Sequence, residues 1–143
     1  MAYDVDQLLK MSQAQLDDLF RASPAGDIPS GVANGTAIIA PGTQYSRPIA
    51  ELINYFAWEG KVFDSETGTL KNRLLGGAFQ AIIAKVYKAP SWFDNKECIV
   101  LDYSQTSVVA HWIRDEIRLI GPGFYLGLVY WDNARLINFC LQF

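Results

Sequence analysis

Residues 107–143 read SVVAHWIRDEIRLI, then GPG at 121–123, then FYLGLVYW, then DN at 132–133, then ARLINFCLQF. Three long runs of aliphatic, β-branched and aromatic residues are separated by short turn sequences. Gly-Pro-Gly and Asp-Asn favour tight turns, so the stretch predicts three consecutive antiparallel strands. A chain that ends on such apolar residues is expected to pair and bury that end. The pattern therefore predicts an antiparallel sheet that curls and closes.

The strand pattern extends upstream, because the period-two alternation recurs with turn residues between the runs. Counted with the last three, the runs make about seven or eight strands in sequential order, and a sheet of that kind usually rolls up. The fold class predicted is mainly β, an antiparallel barrel. The upstream strands are predicted at 35–40, 61–64, 69–75, 78–87 and 97–103.

Short helices are predicted before the barrel, where apolar residues recur at helical spacing. Asp4 or Asp6 can cap a first helix, and residues 12–15 resemble a capping box for a second. Pro48 suits the first turn of a third helix at 49–57. These helices are expected to pack on the barrel or to close one end of it.

The length of 143 residues predicts one domain, with helices, loop and a short strand at 1–57 and barrel strands at 58–143. Both faces of the run at 124–131 are apolar, so one is expected to face the barrel interior and the other to be covered by helices. In the last run the second face is more polar, as for an outer wall or a wet cavity.

The composition argues against several classes of partner. The net charge is −3 and the twelve Lys and Arg are scattered, whereas nucleic-acid binding needs a basic face. No run of 18 apolar residues exists that could span a membrane, and the N-terminus does not resemble a signal peptide. Without an export signal, Cys98 and Cys140 are expected to be free and buried, although a disulfide between two strands stays open. The predicted location is the cytoplasm.

Neither a metal nor a cofactor is predicted. The sequence has one histidine, which cannot fill a zinc site without clustered cysteine or acidic ligands. The glycine pairs at 76–77 and 121–123 lack the strand-to-helix context of a phosphate-binding loop.

The segment Trp58-Glu59-Gly60-Lys61, followed by strands to the end, resembles the start of a lipocalin-like (calycin-type) barrel. It is also similar to small bacterial domains with a G-x-W-x-G signature. The matching residues are Trp58 and Gly60, the Asn-Arg dipeptide at 72–73 and the Arg-Asp dipeptide at 114–115. Phe56 stands where that signature has its first glycine. The resemblance implies a cavity for an apolar small molecule, and it implies no catalytic residues.

The polar candidates lie on the run at 107–120. His111 is expected to share the interior face with Asp115, and either could act as a general base or bind a ligand. Arg114, on the other face, would turn inward if a β-bulge shifts the register, and it would then suit a carboxylate ligand. Arg114, Glu116 and Arg118 are otherwise predicted to form a solvated outer wall. Further ligand-binding candidates are Tyr103, Tyr125 and Trp58.

Three functions follow as hypotheses. The first is binding of an apolar small molecule, such as a fatty acid, polyketide or terpenoid, inside the barrel. The second is a cofactor-free isomerase or cyclase in the same cavity, which an ionisable pair deep inside would favour. The third is a protein-interaction module or homodimer that buries an outer aromatic patch. Fold alone does not separate these hypotheses.

Overall fold

The computed structural model describes residues 3–39, 58–74, 83–106 and 111–143, with the backbone alone at 58, 59, 73 and 74. The predicted helix at 49–57 lies outside these residues. Two short helices precede eight strands. They are α1 (Val5–Lys10), α2 (Gln13–Ala22), β1 (Gly31–Ile38), β2 (Trp58–Asp64), β3 (Thr69–Leu74), β4 (Ile83–Pro90), β5 (Glu97–Asp102), β6 (Ile113–Gly121), β7 (Phe124–Trp131) and β8 (Ala134–Gln142).

The eight strands form one closed antiparallel barrel in sequential order, β1 to β8. Closure occurs where β1 pairs with β8, from Asn34 opposite Gln142 to Ile38 opposite Asn138. Both neighbours of the last strand are therefore strands, as the apolar end of the chain predicts. The prediction of a mainly β antiparallel barrel with short N-terminal helices is confirmed.

The turns that join the last three strands follow from their residues. Asp132 and Asn133 both have positive φ, which matches the right-handed twist of a two-residue hairpin. Gly123 also has positive φ, and Gly121 pairs with Phe124 across the turn. β7 covers the predicted residues, whereas β6 begins at residue 113 rather than 107.

Both helices have capping boxes at their N-termini. The Asp4 side chain accepts from the backbone N–H of Gln7, and Ser12 accepts in the same way from Gln15. The apolar face of the helices then packs on the outer face of the barrel, in a cluster with the outer side chains of β5, β7 and β8. Its fully buried members include Leu8, Leu16, Phe20, Val100, Leu126 and Leu128.

The opposite face of the strands lines the barrel interior, so both faces of β7 are buried, as predicted. Interior positions hold mostly apolar side chains, among them Phe63, Leu70, Ile99, Leu101, Ile117, Val129, Phe139 and Leu141. The strands run up and down, so the barrel has two ends. We name the end with the turns at 65–68, 91–96 and 122–123 the turn end, and the end with the other four connections the loop end.

The turn end is closed by the segment between α2 and β1. Ala25 is buried in the interior cluster and Ile28 packs against it. Leu119 donates its backbone N–H to the Pro24 carbonyl at 2.9 Å, and the Tyr125 hydroxyl donates to the Asp27 carbonyl at 2.8 Å. The described residues therefore cover the interior at the turn end.

Candidate functional site

Four polar side chains lie together in the barrel interior, whose lining is otherwise apolar among the described residues: Lys61 of β2, Asn72 of β3, Tyr103 just after β5, and Asp115 of β6. Their exposed fractions are 1%, 0%, 0% and 5%. Burying polar groups is costly unless they bond to one another. The barrel therefore concentrates its interior polarity in one place, which we name the interior polar cluster.

Strand register explains how residues far apart in sequence meet. Lys61 lies directly opposite Asn72, and Asp115 lies opposite Leu101, two residues before Tyr103. β4 separates the two pairs along the sheet, so they face each other across the interior. Asn72, Tyr103 and Asp115 lie in the half of the barrel nearer the loop end, and Lys61 is the middle residue of β2.

Gly60 determines how closely β2 approaches β1 beside this cluster. Its φ is +136°, and a Cβ atom there would lie 1.8 Å from the Ala33 carbonyl oxygen. A register shift between Trp58 and Gly60 accompanies this close approach. Glycine is therefore required immediately before Lys61, because any other side chain would push β1 away.

The Lys61 ammonium is the centre of the cluster. Its Nζ donates to Asn72 Oδ1 at 2.6 Å and to the Tyr103 hydroxyl at 2.8 Å. It also lies 3.4 Å from Asp115 Oδ2, which makes a buried ion pair. The Asn72 amide donates to the Tyr103 hydroxyl at 3.0 Å, and that hydroxyl lies 3.4 Å from Asp115 Oδ2. The bonds therefore join all four side chains.

One oxygen of the cluster is left over. Asp115 Oδ1 is buried and has no hydrogen-bond partner among the residues that the structure describes. An unsatisfied buried acceptor costs about 1–3 kcal/mol, so such groups are rare in native interiors. Lys61 and Tyr103 both approach the other oxygen, Oδ2. Oδ1 is thus an acceptor on the interior face whose lone pairs can still accept a hydrogen bond.

Burial shifts the acid–base properties of the cluster. Loss of hydration lowers the pKa of Lys61 and raises the pKa of Asp115, while the attraction between the two opposes both shifts. Burial also raises the pKa of Tyr103 well above its ordinary value. The pKa values of the lysine and the carboxyl therefore move toward each other, which makes proton exchange between them easier than in water.

Two of the residues predicted from sequence belong to this cluster, Asp115 and Tyr103. The register places Asp115 inward and Arg114 outward, so the alternative in which Arg114 faces the interior is not observed. Arg114 instead bonds to Glu116 and to the Pro90 carbonyl, and its guanidinium lies 4.2 Å from the centre of the Trp92 ring.

The other predicted residues lie elsewhere. His111 is in a turn that precedes β6, half-buried at the loop end, with its ring 3.8 Å from that of Trp112. The expectation that it lies within a strand is therefore wrong. Tyr125 is buried at the turn end, where its hydroxyl bonds to Asp27. Trp58 begins β2, and its side chain lies outside the described residues.

The outer residues of β6 are not solvated, contrary to the prediction from their alternating charges. Glu116 and Arg118 are fully buried. Arg118 makes a bidentate bond to Asp94, at 2.6 and 2.7 Å, and donates to the Phe20 carbonyl at the end of α2. Helix α2 and the turn at 91–96 cover this face, and every charge there has a partner.

Sequence analysis missed Lys61 and Asn72 as site residues. A signal existed, because Lys61 is in phase with Phe63 and Asn72 with Leu70, so polar residues stand on the apolar alternation of two paired strands. Recognising it requires the register of β2 against β3, which a bulge shifts and which the pattern alone does not specify.

The two cysteines are free, as expected, and buried on the outer face. Burial raises the pKa of Cys98 to about 12 and that of Cys140 to about 11, so neither is a ready nucleophile. Within the described residues, no group of three or more histidine, cysteine or acidic side chains could hold a metal ion. No described helix is long and apolar enough to cross a membrane.

The barrel is similar to a solved structure, described as the crystal structure of a protein from Thermomonospora curvata, with a TM-score of 0.65. The match covers 93% of this chain and 88% of that chain, at 14% sequence identity. No protein-family model and no curated protein matches the chain. At this identity the likeness shows a shared fold and carries no function.

Proposed function

We propose that the protein is a lipocalin-like barrel that binds an apolar small molecule in its interior. The observation that carries this proposal is the interior polar cluster: four connected polar side chains within an apolar lining, with one acceptor oxygen that has no partner in the described part of the chain. Ligand sites combine an apolar wall with a few placed polar groups in this way. Arg114, His111 and Tyr125 are not needed as anchors, because the cluster supplies the polar contacts.

Native mass spectrometry of the purified protein, followed by solvent extraction, tests this proposal. We expect an apolar molecule to co-purify in a complex of defined stoichiometry. Two tryptophan variants provide the comparison: Leu101→Trp fills the interior next to Asp115, whereas Val32→Trp adds the same ring on the exposed outer face. Binding should be lost in the first variant and kept in the second.

Chemical-shift mapping covers the case in which Leu101→Trp fails to fold. Extracted ligand, returned to the emptied wild-type protein, should shift the amides of interior-facing residues more than those of outer-facing residues on the same strands. Shifts confined to the outer face, or a purified protein that neither carries nor takes up an apolar molecule, would contradict the proposal.

The second candidate function is a cofactor-free isomerase or cyclase, and the Lys61–Asp115 pair favours it. Burial lowers the pKa of Lys61 and raises that of Asp115, which suits an acid and a base that exchange a proton. Incubating the extracted molecule with the protein in deuterium oxide would show this chemistry as a mass increase, and Lys61→Met should abolish it. If neither deuterium exchange nor a product is detected, the enzyme hypothesis is contradicted and only the binding function remains.

Homodimer formation and a cytoplasmic location belong to the proposal as well. The free state of both cysteines supports a reducing compartment. Exposed aromatic rings at Trp92 and Trp112 are candidates for contact with a partner.

A further inference from the structure

We propose that the ligand of this barrel carries a neutral hydrogen-bond donor, an alcohol hydroxyl at the end of an apolar body, which bonds to Asp115 Oδ1. This inference rests on the proposed function and specifies its ligand class. It narrows the choice among apolar molecules by asking which head group the interior polar cluster still lacks.

The donors and acceptors of the cluster identify that group. Lys61 has three N–H donors, and the described residues place three oxygens within reach of its Nζ: those of Asn72, Tyr103 and Asp115. Tyr103 accepts from Lys61 and Asn72, and its single proton has acceptors at 3.3 and 3.4 Å. Judged on the described residues, Asp115 Oδ1 is the buried atom without a hydrogen-bond partner; it is an acceptor, so its complement is a donor.

The charge of the ligand's head group then decides which groups are suitable. A fatty-acid carboxylate would bring a second anion against Asp115 and would have no donor to offer its oxygen. An ammonium group would add a second cation near Lys61, whose charge already balances that of Asp115. A neutral hydroxyl leaves the charge balance unchanged and satisfies the oxygen.

Three chain-matched probes test the head group: decan-1-ol, its isomeric ether 1-methoxynonane, which accepts but cannot donate, and decanoate. Affinities are measured by NMR titration at about pH 8, which keeps the carboxyl of a free fatty acid ionised. We expect the alcohol to bind about tenfold more tightly than the ether, since loss of a bond to a charged group has about this effect, and decanoate to bind more weakly still.

Asp115→Asn should abolish this preference. The asparagine oxygen can accept from Lys61 and Tyr103 as Oδ2 does, which places its amide nitrogen, a donor, at the position of Oδ1. The alcohol-to-ether ratio should then fall to about one, and decanoate should gain affinity relative to the alcohol. Glu116→Gln is the matched control, because Glu116 is the neighbouring buried carboxylate on the outer face, and it should keep the wild-type ratio.

The outcomes separate the two proposals. If the ether or decanoate binds as tightly as the alcohol to the wild type, the head-group inference is wrong while interior binding survives. The same holds if Asp115→Asn keeps the wild-type ratio, since Oδ1 would then be satisfied by a buried water only. If none of the three probes enters the barrel, the proposed function itself is contradicted, and the inference with it.

Discussion

Lys61 and Asp115 form a buried ion pair, and both charges are removed from water inside the barrel. The desolvation of such a pair often exceeds the attraction between its members, so a buried pair is weak evidence of stabilisation. Removing one member is different, since the other is then left without compensation. A residue pair of this kind is easier to explain by ligand binding or proton transfer than by folding.

Lys61→Met is therefore expected to lower the free energy of unfolding by about 3 kcal/mol, because Asp115 and Asn72 lose their shared donor. Methionine keeps an apolar stem of similar length but removes the ammonium, which lies 5.7 Å from the centre of the Phe139 ring. Urea unfolding at about pH 8 measures the change through the midpoint at constant slope. Lys71→Met, an exposed lysine on β3, is the control and should change stability by less than about 0.5 kcal/mol. A loss for Lys61→Met as small as that of the control would mean that removing the lysine does not leave Asp115 with an uncompensated buried charge.

At the scale of elements, Arg118 connects three parts of the fold. From the outer face of β6 it bonds to the Phe20 carbonyl at the end of α2, to Asp94 in the turn after β4, and to the Glu97 carbonyl that begins β5. It also lies over the Phe20 ring, at 4.4 Å from its centre. The helix and the turn are thus fixed against the barrel by one buried guanidinium.

The Asp94 carboxylate gives this connection a pH dependence. The hydrogen bonds from Arg118 hold the pKa of Asp94 below its ordinary 3.8, so in the pH range below that value the unfolded chain binds more protons. Its stabilisation is therefore fully present above the unfolded pKa and is lost as the pH falls through the folded pKa. Asp94→Asn should cost about 2 kcal/mol near neutral pH, and less as the solution becomes more acidic.

Urea unfolding of wild type and Asp94→Asn over a series of pH values measures this difference. Asp18→Asn is the matched control, because Asp18 also pairs with an arginine but is 78% exposed. Its effect should stay below about 0.5 kcal/mol at every pH. A difference for Asp94→Asn that stays constant into the acid range would show that the carboxylate charge is not what stabilises the connection.

The sequence predicts some elements better than others, for reasons that these residues make clear. β7 is bounded by turn sequences on both sides and is apolar on both faces, so its limits and its burial follow from local pattern. Arg118 and Glu116 look like a solvated face, and only the packing of α2 and the turn at 91–96 buries them. The interior polar cluster takes one residue from each of four segments, so it depends on a register that no single segment contains.

At the scale of the whole molecule, the described strands leave no edge strand, because β1 pairs with β8 and closes the sheet. In an open sheet an edge strand can separate without disturbing the rest, whereas in a closed barrel each strand has two neighbours. The interior polar cluster needs this rigidity, since its members are held by β2, β3, β5 and β6 together. Closure therefore links the stability of the site to the stability of the barrel.

Native-state hydrogen exchange tests this link. We expect the amides of Phe139, Cys140 and Leu141, which lie between β7 and β1, to exchange only through global unfolding. Their free energies of exchange should equal the value from urea unfolding and should match those of Leu101 in the middle of the sheet. The Glu66 amide in the exposed β2–β3 turn donates to the side chain of Asp64, two residues away, and serves as the faster-exchanging control because that turn opens locally. Exchange of the β8 amides at a clearly lower free energy than that of Leu101 would mean that the β1–β8 pairing opens by itself, and the barrel would then behave as an open sheet with β8 at its edge.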